Sequence, residues 1–195
     1  MKELTIEDVK LVTKTAGTPV REPERSELKK IYSKLEYVCQ NLPKDKFNYK
    51  IRKDPRNQGG GFKYFQDYLW AKIFPKEFEN EVWNKLAIIL GIANNTLHLH
   101  IMGIGKYQDL HASKIASNSS WEELDLSNLQ YHSLVKRIEY FYEKNRNLFV
   151  DTAYQLGLKN FKQIKSEIEV QKLKNILEYK KQIILQGPPG TGKTR

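Results

Sequence analysis

Two stretches of the chain repeat apolar residues at intervals of three and four, which is the spacing of one face of an α-helix. The first stripe consists of Leu28, Ile31, Leu35, Val38 and Leu42. It predicts a helix over 24–42 with Pro23 near its start, a position where proline costs little. The second stripe consists of Leu134, Ile138 and Phe141 and predicts a helix over about 127–145. Both patterns are amphipathic, so each helix should pack one side against a core.

The region between these helices changes to shorter apolar runs bounded by turn residues, which is typical of β-strands. The segments 62–74, 82–92 and 96–105 predict three strands, and Asn94 with Asn95 predicts the turn between the last two. Side chains in the third strand should alternate between two faces. One face carries Thr96, His98, His100 and Met102, and the other carries Leu97, Leu99 and Ile101. The short connections predict an α+β fold with a central antiparallel sheet of at least three strands and helices packed on it.

Other segments set the predicted domain boundaries. Residues 1–22 have weak periodicity and predict a loosely attached arm. A capping box of Ser120 and Glu123 predicts a helix that begins near Trp121, and Gly157 predicts a helix C-cap. Residues 161–181 carry a charged helical pattern with a thin apolar stripe and predict a helical linker. We therefore expect an N-terminal domain over 1–160, the linker over 161–181 and a separate segment over 182–195.

The composition is that of a protein that folds around a core, with 39% hydrophobic and 29% charged residues. No apolar run is long enough to cross a bilayer, and the first residues lack the apolar stretch of a signal peptide. We therefore expect a cytoplasmic protein with no membrane partner. The single cysteine, Cys39, excludes an internal disulfide and a cysteine-rich zinc site.

The formal net charge of +10 is unevenly distributed. Residues 44–63 contain seven Lys or Arg and two Asp residues, a net charge of +5, interleaved with aromatic residues and glycines. Concentrated positive charge is typical of a site for a polyanion, and aromatic faces can stack on bases. The DNA-binding candidates are Lys50, Arg52, Lys53, Arg56 and Lys63. The alternative is that these residues form an ordinary solvated face.

The tryptophans Trp70, Trp83 and Trp121 are candidates for a cage around a base that has left the DNA stack. We nominate Tyr64 and Trp70 as base-stacking residues, and the alternative is that the tryptophans belong to the core. The histidines at 98 and 100 share a strand face, but no Cys or carboxylate stands at ligand spacing near them, so we predict no metal site. No nucleophile or acid–base motif occurs in 1–160, so we predict no catalytic residue there.

The end of the chain carries a phosphate-binding motif. Residues 187–194 read GPPGTGKT, satisfy the P-loop pattern G-x-x-x-x-G-K-[ST] and follow a short apolar segment. The nucleotide-binding residues are Gly187, Gly190, Thr191, Gly192, Lys193 and Thr194. The glycines let backbone N–H groups surround a polyphosphate, the lysine neutralises it, and the threonine hydroxyl ligates Mg²⁺.

No helix or acidic magnesium ligand follows this motif in the sequence. We therefore expect no nucleotide hydrolysis and no bound cofactor in this chain. We interpret it as the front of a longer protein, cut just inside a motor domain that uses Mg²⁺ and GTP or ATP.

The sequence KKQIILQGPPGTGKT over 180–194 resembles AAA+ ATPases. Together with the charged helical pattern before it, it looks most like the McrB-type AAA+ subunits of modification-dependent restriction systems. In that family a variable N-terminal domain binds DNA, in several members by recognising a modified base such as a methylated one. The motor that follows uses GTP or ATP, self-associates into a ring and recruits a nuclease subunit. The resemblance implies that residues 1–160 read DNA, and the alternative is a protein-interaction adaptor domain of another AAA+ ATPase.

Overall fold

The computed structural model describes residues 3–58, 61–108, 120–158 and 160–180. It has an α+β fold built on a five-stranded antiparallel sheet, which confirms the predicted fold class. The strands, in order across the sheet, are β1 (Phe47–Ile51), β2 (Leu69–Pro75), β3 (Leu86–Ala93), β4 (Thr96–Gly103) and β5 (Glu122–Leu124). The helices are α1 (Ile6–Thr15), α2 (Glu24–Gln40), α3 (Glu79–Val82), α4 (Tyr131–Gln155) and α5 (Phe161–Lys180). The predicted P-loop and its six nucleotide-binding residues lie outside the described residues.

Each strand pairs with the next one along the chain, so the sheet is a meander. The β3–β4 hairpin turns through Asn94 and Asn95, whose φ angles of 50° and 59° lie in the left-handed region that asparagine tolerates. This confirms the turn predicted from these two residues. Ala93 pairs with Thr96 directly across the turn, which fixes the register of the whole hairpin.

One face of the sheet is covered by α1, α2 and α4. Alternate residues of the strands point to this face and are buried with the apolar stripes of the helices. In β2, β3 and β4 these residues are Leu69, Ala71, Ile73, Ile88, Leu90, Ile92, Leu97, Leu99 and Ile101. The alternation predicted for β4 therefore places its leucines and isoleucine toward the helices. The opposite face, which we call the outer face, carries the other half of the strand residues.

The first helix corrects the prediction of a loosely attached arm. The Thr5 side chain caps α1, and Asp8 accepts a hydrogen bond from the Thr5 backbone, so the helix begins with a full capping box. Lys34 on α2 donates to Asp8 at 2.6 Å, and Val9 and Val12 are buried in the core. The arm prediction is wrong because a ten-residue helix with few apolar positions gives a weak periodic signal.

The segment after Ser120 is a strand and not the predicted helix. The Ser120 hydroxyl accepts a hydrogen bond from the Ile101 backbone at 2.7 Å, so it extends the sheet instead of capping a helix. Strand β5 then pairs with β4, and Glu122 forms an ion pair with Arg137 on α4 at 2.6 Å. The capping-box prediction fails because a serine hydroxyl can satisfy a strand edge as well as a helix end.

The second predicted helix corresponds to α4, which begins and ends later than its apolar stripe indicates. Its predicted C-cap is confirmed, since Gly157 follows the helix with a φ of 71°. The prediction of a helix after this turn is confirmed by α5. Ile164 and Ile168 pack against the core, whereas Val170 and Leu173 are exposed. In the described ranges no helix has the length and apolar character needed to cross a bilayer.

Val12→Ala tests whether α1 belongs to the core. Val12 is 1% exposed, so its truncation should lower the free energy of unfolding by about 2 kcal/mol. Urea unfolding followed by circular dichroism measures the change. Val170→Ala is the matched control, because Val170 is 50% exposed and its truncation should cost less than about 0.5 kcal/mol. Equal effects of the two substitutions would indicate that α1 is a loosely attached arm and not part of the core.

Candidate functional site

The outer face of the sheet gathers aromatic rings and cations on neighbouring strands. Lys50 on β1 lies opposite Lys72 on β2. Trp70 on β2 lies opposite Gly91 on β3, which in turn lies opposite His98 on β4. Directly paired residues project to the same face of a sheet. Trp70 and Lys72 are two positions apart on β2, so they also share a face. These five positions therefore share the outer face.

A pocket of about 210 Å³ lies on the outer face above β3. Aromatic side chains line it from the strands on both sides of β3. On the β2 side these are Tyr68 and Trp70, and on the β4 and β5 side they are His98, His100 and Trp121. Strands β2 and β4 are two interstrand spacings apart, about 10 Å. A concave site with an aromatic lining of this kind suits a planar ligand.

Ring contacts hold the two aromatic sides. Tyr68 and Trp70 meet edge to face, with ring centroids 5.0 Å apart and an interplanar angle of 65°. Trp121 stacks on His98 with centroids 3.9 Å apart and an angle of 20°, and its centroid lies 5.1 Å from that of His100. Tyr68 and Trp121 are each 41% exposed, so both rings also present surface to solvent. Rings held in this way provide ready stacking partners for another aromatic system.

Gly91 is required for this arrangement because the His98 ring leans across β3. A Cβ at position 91 would lie 2.5 Å from Nε2 of His98 and 2.9 Å from its Cε1. These distances are too short for nonbonded atoms, so a side chain at 91 would displace the imidazole. Displacing His98 would also displace Trp121, since the two rings are stacked. Close packing therefore explains a glycine in the middle of a strand, where it is otherwise unfavourable.

His98 is only 4% exposed, and burial lowers its pKa to about 4. The imidazole is therefore neutral at pH 7. Its Nδ1 is buried and has no hydrogen-bond partner among the residues that the structure describes. An unpaired buried polar atom costs about 1–3 kcal/mol of stability, and native structures contain few of them. The unpaired Nδ1 of His98 therefore lowers the free energy of unfolding, and it does so at the pocket.

The lysines near the pocket, Lys72 and Lys50, have no acidic partner among the described residues. The Nζ of Lys72 lies 4.6 Å from the ring centroid of Trp70. Burial lowers the pKa of Lys72, and the neighbouring Lys50 ammonium lowers it further. Lys50 donates to Oδ1 of Asn84 at 3.1 Å, a neutral acceptor. Within the described part of the chain neither lysine forms an ion pair, so this edge of the pocket is electropositive.

Two of the predicted DNA-binding residues are neutralised by carboxylates. Lys53 pairs with Glu36 at 3.1 Å, and Arg56 donates to both carboxylate oxygens of Asp54. The hydrogen bonds from Arg56 lower the pKa of Asp54 to about 2, so this carboxylate is ionised at neutral pH. Both cations therefore have less charge available for a phosphate than a count along the sequence indicates.

The other three predicted DNA-binding residues lie in different places. Arg52 donates to the backbone oxygen of Arg56 at 2.5 Å and closes the start of the loop between β1 and β2. Lys63 is exposed in the same loop. Lys50 is the candidate that lies beside Lys72 on the outer face. The five residues predicted from the sequence are thus dispersed, and one of them, Lys50, lies opposite the lysine that contacts Trp70 of the pocket.

Of the two predicted base-stacking residues, Trp70 lines the pocket and Tyr64 does not. Tyr64 is exposed in the loop between β1 and β2, where it forms a β-bridge with Pro19. The tyrosine that contacts Trp70 is Tyr68, at the end of the same loop. The structure therefore keeps one member of the predicted pair in the pocket and brings a different tyrosine to it.

Two residues of this site, Tyr68 and Lys72, are absent from the sequence predictions. Lys72 stands two positions after Trp70 on a predicted strand, and the alternation of side chains would have indicated that they share a face. The contact of Trp121 with His98 could not be found in that way, because it depends on β5, which the sequence pattern assigns to a helix. The described residues contain no group of three or more His, Cys, Asp or Glu side chains that could hold a metal ion. The absence of a metal site stays a prediction.

Comparisons of the chain with protein-family profiles, with curated proteins and with solved structures give no match. The pocket and the charges near it are therefore the features from which a function can be inferred.

The burial of His98 predicts a pH-dependent stability. Unfolding exposes the imidazole, whose pKa returns from about 4 to its usual 6.5. Between these pH values the unfolded chain binds a proton that the folded chain does not, so the free energy of unfolding should fall as the pH is lowered through this range. The contribution lost by pH 4 should be about 3 kcal/mol.

Urea unfolding at several pH values between 7 and 4 measures this effect. His98→Phe keeps a ring against Trp121 and should remove the His98 part of the dependence. His132→Phe, at an exposed position of α4, should retain it. His100 and Glu123, which share the outer face with His98, are present in all three proteins and cancel in the comparison. The same pH dependence in wild type and His98→Phe would contradict the assignment.

Proposed function

We propose that residues 1–160 bind DNA and that the outer-face pocket takes one of its bases. The observation that carries this proposal is an aromatic pocket with Lys72 at its Trp70 ring and Lys50 opposite Lys72, and neither lysine has an acidic partner among the described residues. Bases of every identity stack on aromatic side chains, at about 1–3 kcal/mol per base. Phosphates accompany those bases and attract the lysines. The site therefore combines the two kinds of contact that a nucleic acid requires.

The sign of the charge disfavours another ligand of aromatic pockets. Tryptophan and tyrosine rings also form cages around methylated ammonium groups, which they attract through their electron-rich faces. A cation in this pocket would be repelled by Lys72, and by Lys50 behind it. An anionic aromatic ligand satisfies both the rings and the lysines, and a nucleotide is such a ligand.

A base within a duplex can enter the pocket only after it leaves the helical stack. The pocket, at about 210 Å³, is a site for a single base and not for a stack of base pairs. Flipping a base costs a few kcal/mol, and it costs least where the base is unpaired or mismatched. Stacking between the Trp70 side and the Trp121 side of the pocket supplies an interaction of comparable size. We therefore propose that the domain binds extruded or unpaired bases.

We further propose that the domain selects the DNA on which an AAA+ motor of the McrB type acts. The motif at 187–194 would belong to this motor. In that proposal the motor binds Mg²⁺ and GTP or ATP, forms a ring and recruits a nuclease subunit in the cytoplasm. The support for this part is the sequence motif and its resemblance, which are independent of the pocket.

Trp70→Leu tests the stacking role. The probe is a fluorescein-labelled duplex with one unpaired thymidine at its centre, and the affinity is measured by fluorescence anisotropy at low and moderate salt. The substitution should weaken binding at least about tenfold, because it removes the ring on which the base stacks. Tyr154→Leu is the matched control, since Tyr154 is an exposed aromatic residue on α4, and it should bind as wild type does.

The same duplex with an abasic site at its centre gives the complementary measurement. Wild-type protein should bind it about as weakly as Trp70→Leu binds the intact probe. Equal affinities of the wild type for both probes would contradict a base in the pocket. No binding to DNA even at low salt would overturn the whole proposal and favour the protein-interaction adaptor.

The reading of a modified base is a finer proposal with its own test. A methyl group on the extruded base adds apolar area in a largely apolar pocket, which is worth about 0.8 kcal/mol, or roughly a fourfold gain in affinity. Titration with two otherwise identical probes, one carrying 5-methylcytosine at the unpaired position and the other cytosine, measures this difference. Equal affinities would remove the modified-base proposal and leave DNA binding in place.

A further inference from the structure

We infer that Lys50 and Lys72 form a phosphate subsite at the edge of the pocket, so that the recognised unit is a nucleotide with its own phosphate and not a base alone. The inference rests on the proposed DNA binding. It adds a residue, Lys72, that the sequence pattern did not single out, and it assigns a defined contact to that residue.

The pairing of the two lysines is unfavourable in the free protein. Lys50 and Lys72 are direct cross-strand partners on the outer face. The Cβ atoms of such partners are about 5 Å apart, and like charges in this arrangement destabilise a sheet. The half-burial of Lys72 adds to the cost of a charge without a counterion. An anion held between the two ammonium groups would remove both costs.

The surroundings orient this pair without neutralising it. Elsewhere in the chain a half-buried lysine such as Lys34 is balanced by a carboxylate, that of Asp8, at 2.6 Å. Lys50 is instead held by the amide oxygen of Asn84, which fixes the ammonium and leaves its charge available. The pair therefore has three features of an anion site: two adjacent positive charges, the partial burial of Lys72, and no carboxylate partner for either lysine among the described residues.

The position of Lys72 connects this anion site with the base pocket. Its Nζ lies 4.6 Å from the centre of the Trp70 ring, the ring on which we propose that the base stacks. A phosphate is joined to its base through one sugar, so a base on Trp70 brings its phosphate within reach of the flexible Lys72 side chain. A charge-assisted hydrogen bond to phosphate is stronger than a cation–π contact at a partly exposed site, so the ammonium should exchange the ring for the phosphate.

A chemical double-mutant cycle tests the inference. The probe is the duplex with one unpaired thymidine, in which the phosphate on the 5′ side or on the 3′ side of that nucleotide is replaced by an uncharged methylphosphonate. Wild-type protein should bind one of these two probes more weakly than the unmodified duplex. Its plot of log affinity against log salt should also become shallower by about 0.9, the value for one lost phosphate contact.

Lys72→Gln should cause the same loss of slope on the unmodified probe. It should cause no further loss on the methylphosphonate probe that weakens wild-type binding, because the charge that Lys72 contacts is already absent there. Lys50→Gln should behave likewise, and Lys72→Arg should retain binding. Lys30→Gln removes the same charge from an exposed position on α2, and its effect, if any, should be independent of the methylphosphonate.

Equal wild-type affinities for all three probes would overturn the phosphate subsite, and this result does not depend on the folding of any variant. Losses from Lys72→Gln and from the methylphosphonate that simply add would overturn it as well. In either case the weak binding of the abasic probe would remain, so the base pocket would survive. Loss of that base dependence would be the failure of the proposed function itself.

Discussion

The architecture depends on a sheet that α1, α2 and α4 cover on one face. Because side chains alternate along a strand, half of the residues of β2, β3 and β4 must project to the outer face. Strand β3 is apolar along its whole length, so its side chains on the outer face also require burial. Ile89 is 1% exposed although it projects away from the helices, and it lines the pocket together with Trp70 on the neighbouring strand. The outer face is therefore aromatic partly because the middle of the sheet requires cover.

The need to cover β3 explains some features of the site but not others. Rings beside β3 contribute to burial, and Gly91 has a packing reason in the close approach of His98. The fold gains nothing from two lysines placed opposite each other, or from a buried imidazole nitrogen without a hydrogen-bond partner among the described residues. Both features lower stability, and both lie at the pocket. The functional proposal therefore takes more support from the lysines than from the number of aromatic residues.

Local sequence signals predicted those parts of the fold that local interactions determine. The stripe of α2, the two asparagines of the β3–β4 turn and the glycine after α4 each act within a few residues, and all three predictions are confirmed. The short elements α1, β1 and β5 are absent from the predicted helices and strands. The first and the last of them are held by contacts with distant residues. Asp8 at the start of α1 is held by Lys34, and the hydroxyl of Ser120 before β5 is held by the backbone of Ile101. A periodic pattern along one segment does not predict contacts with residues that are distant in the sequence.

The same limit applies to the candidate site. A count of charges along residues 44–63 treats Lys50 and Lys53 alike, yet Glu36 neutralises the second and no carboxylate pairs with the first among the described residues. Strand alternation could have joined Lys72 to Trp70, because both lie on one predicted strand. The stacking of Trp121 on His98 required knowledge of the strand order, and so did the position of Lys50 opposite Lys72. Residues on different strands are brought together by register, which no single segment specifies.

The distribution of charge also limits what kind of DNA binding this domain could provide. Lys46, Lys53 and Arg56 are paired with carboxylates of the chain, and the one phosphate contact proposed for Lys50 and Lys72 corresponds to a salt slope of about 0.9. A slope of that size gives weak nonspecific affinity at physiological salt, and most of the binding free energy must then come from the stacked base. Such a site discriminates well between an extruded base and ordinary duplex, but it binds weakly as one copy. In the ring that we propose for the motor, several copies near one DNA would raise the effective concentration, and the selectivity of each pocket would be retained while the affinity of the assembly increases.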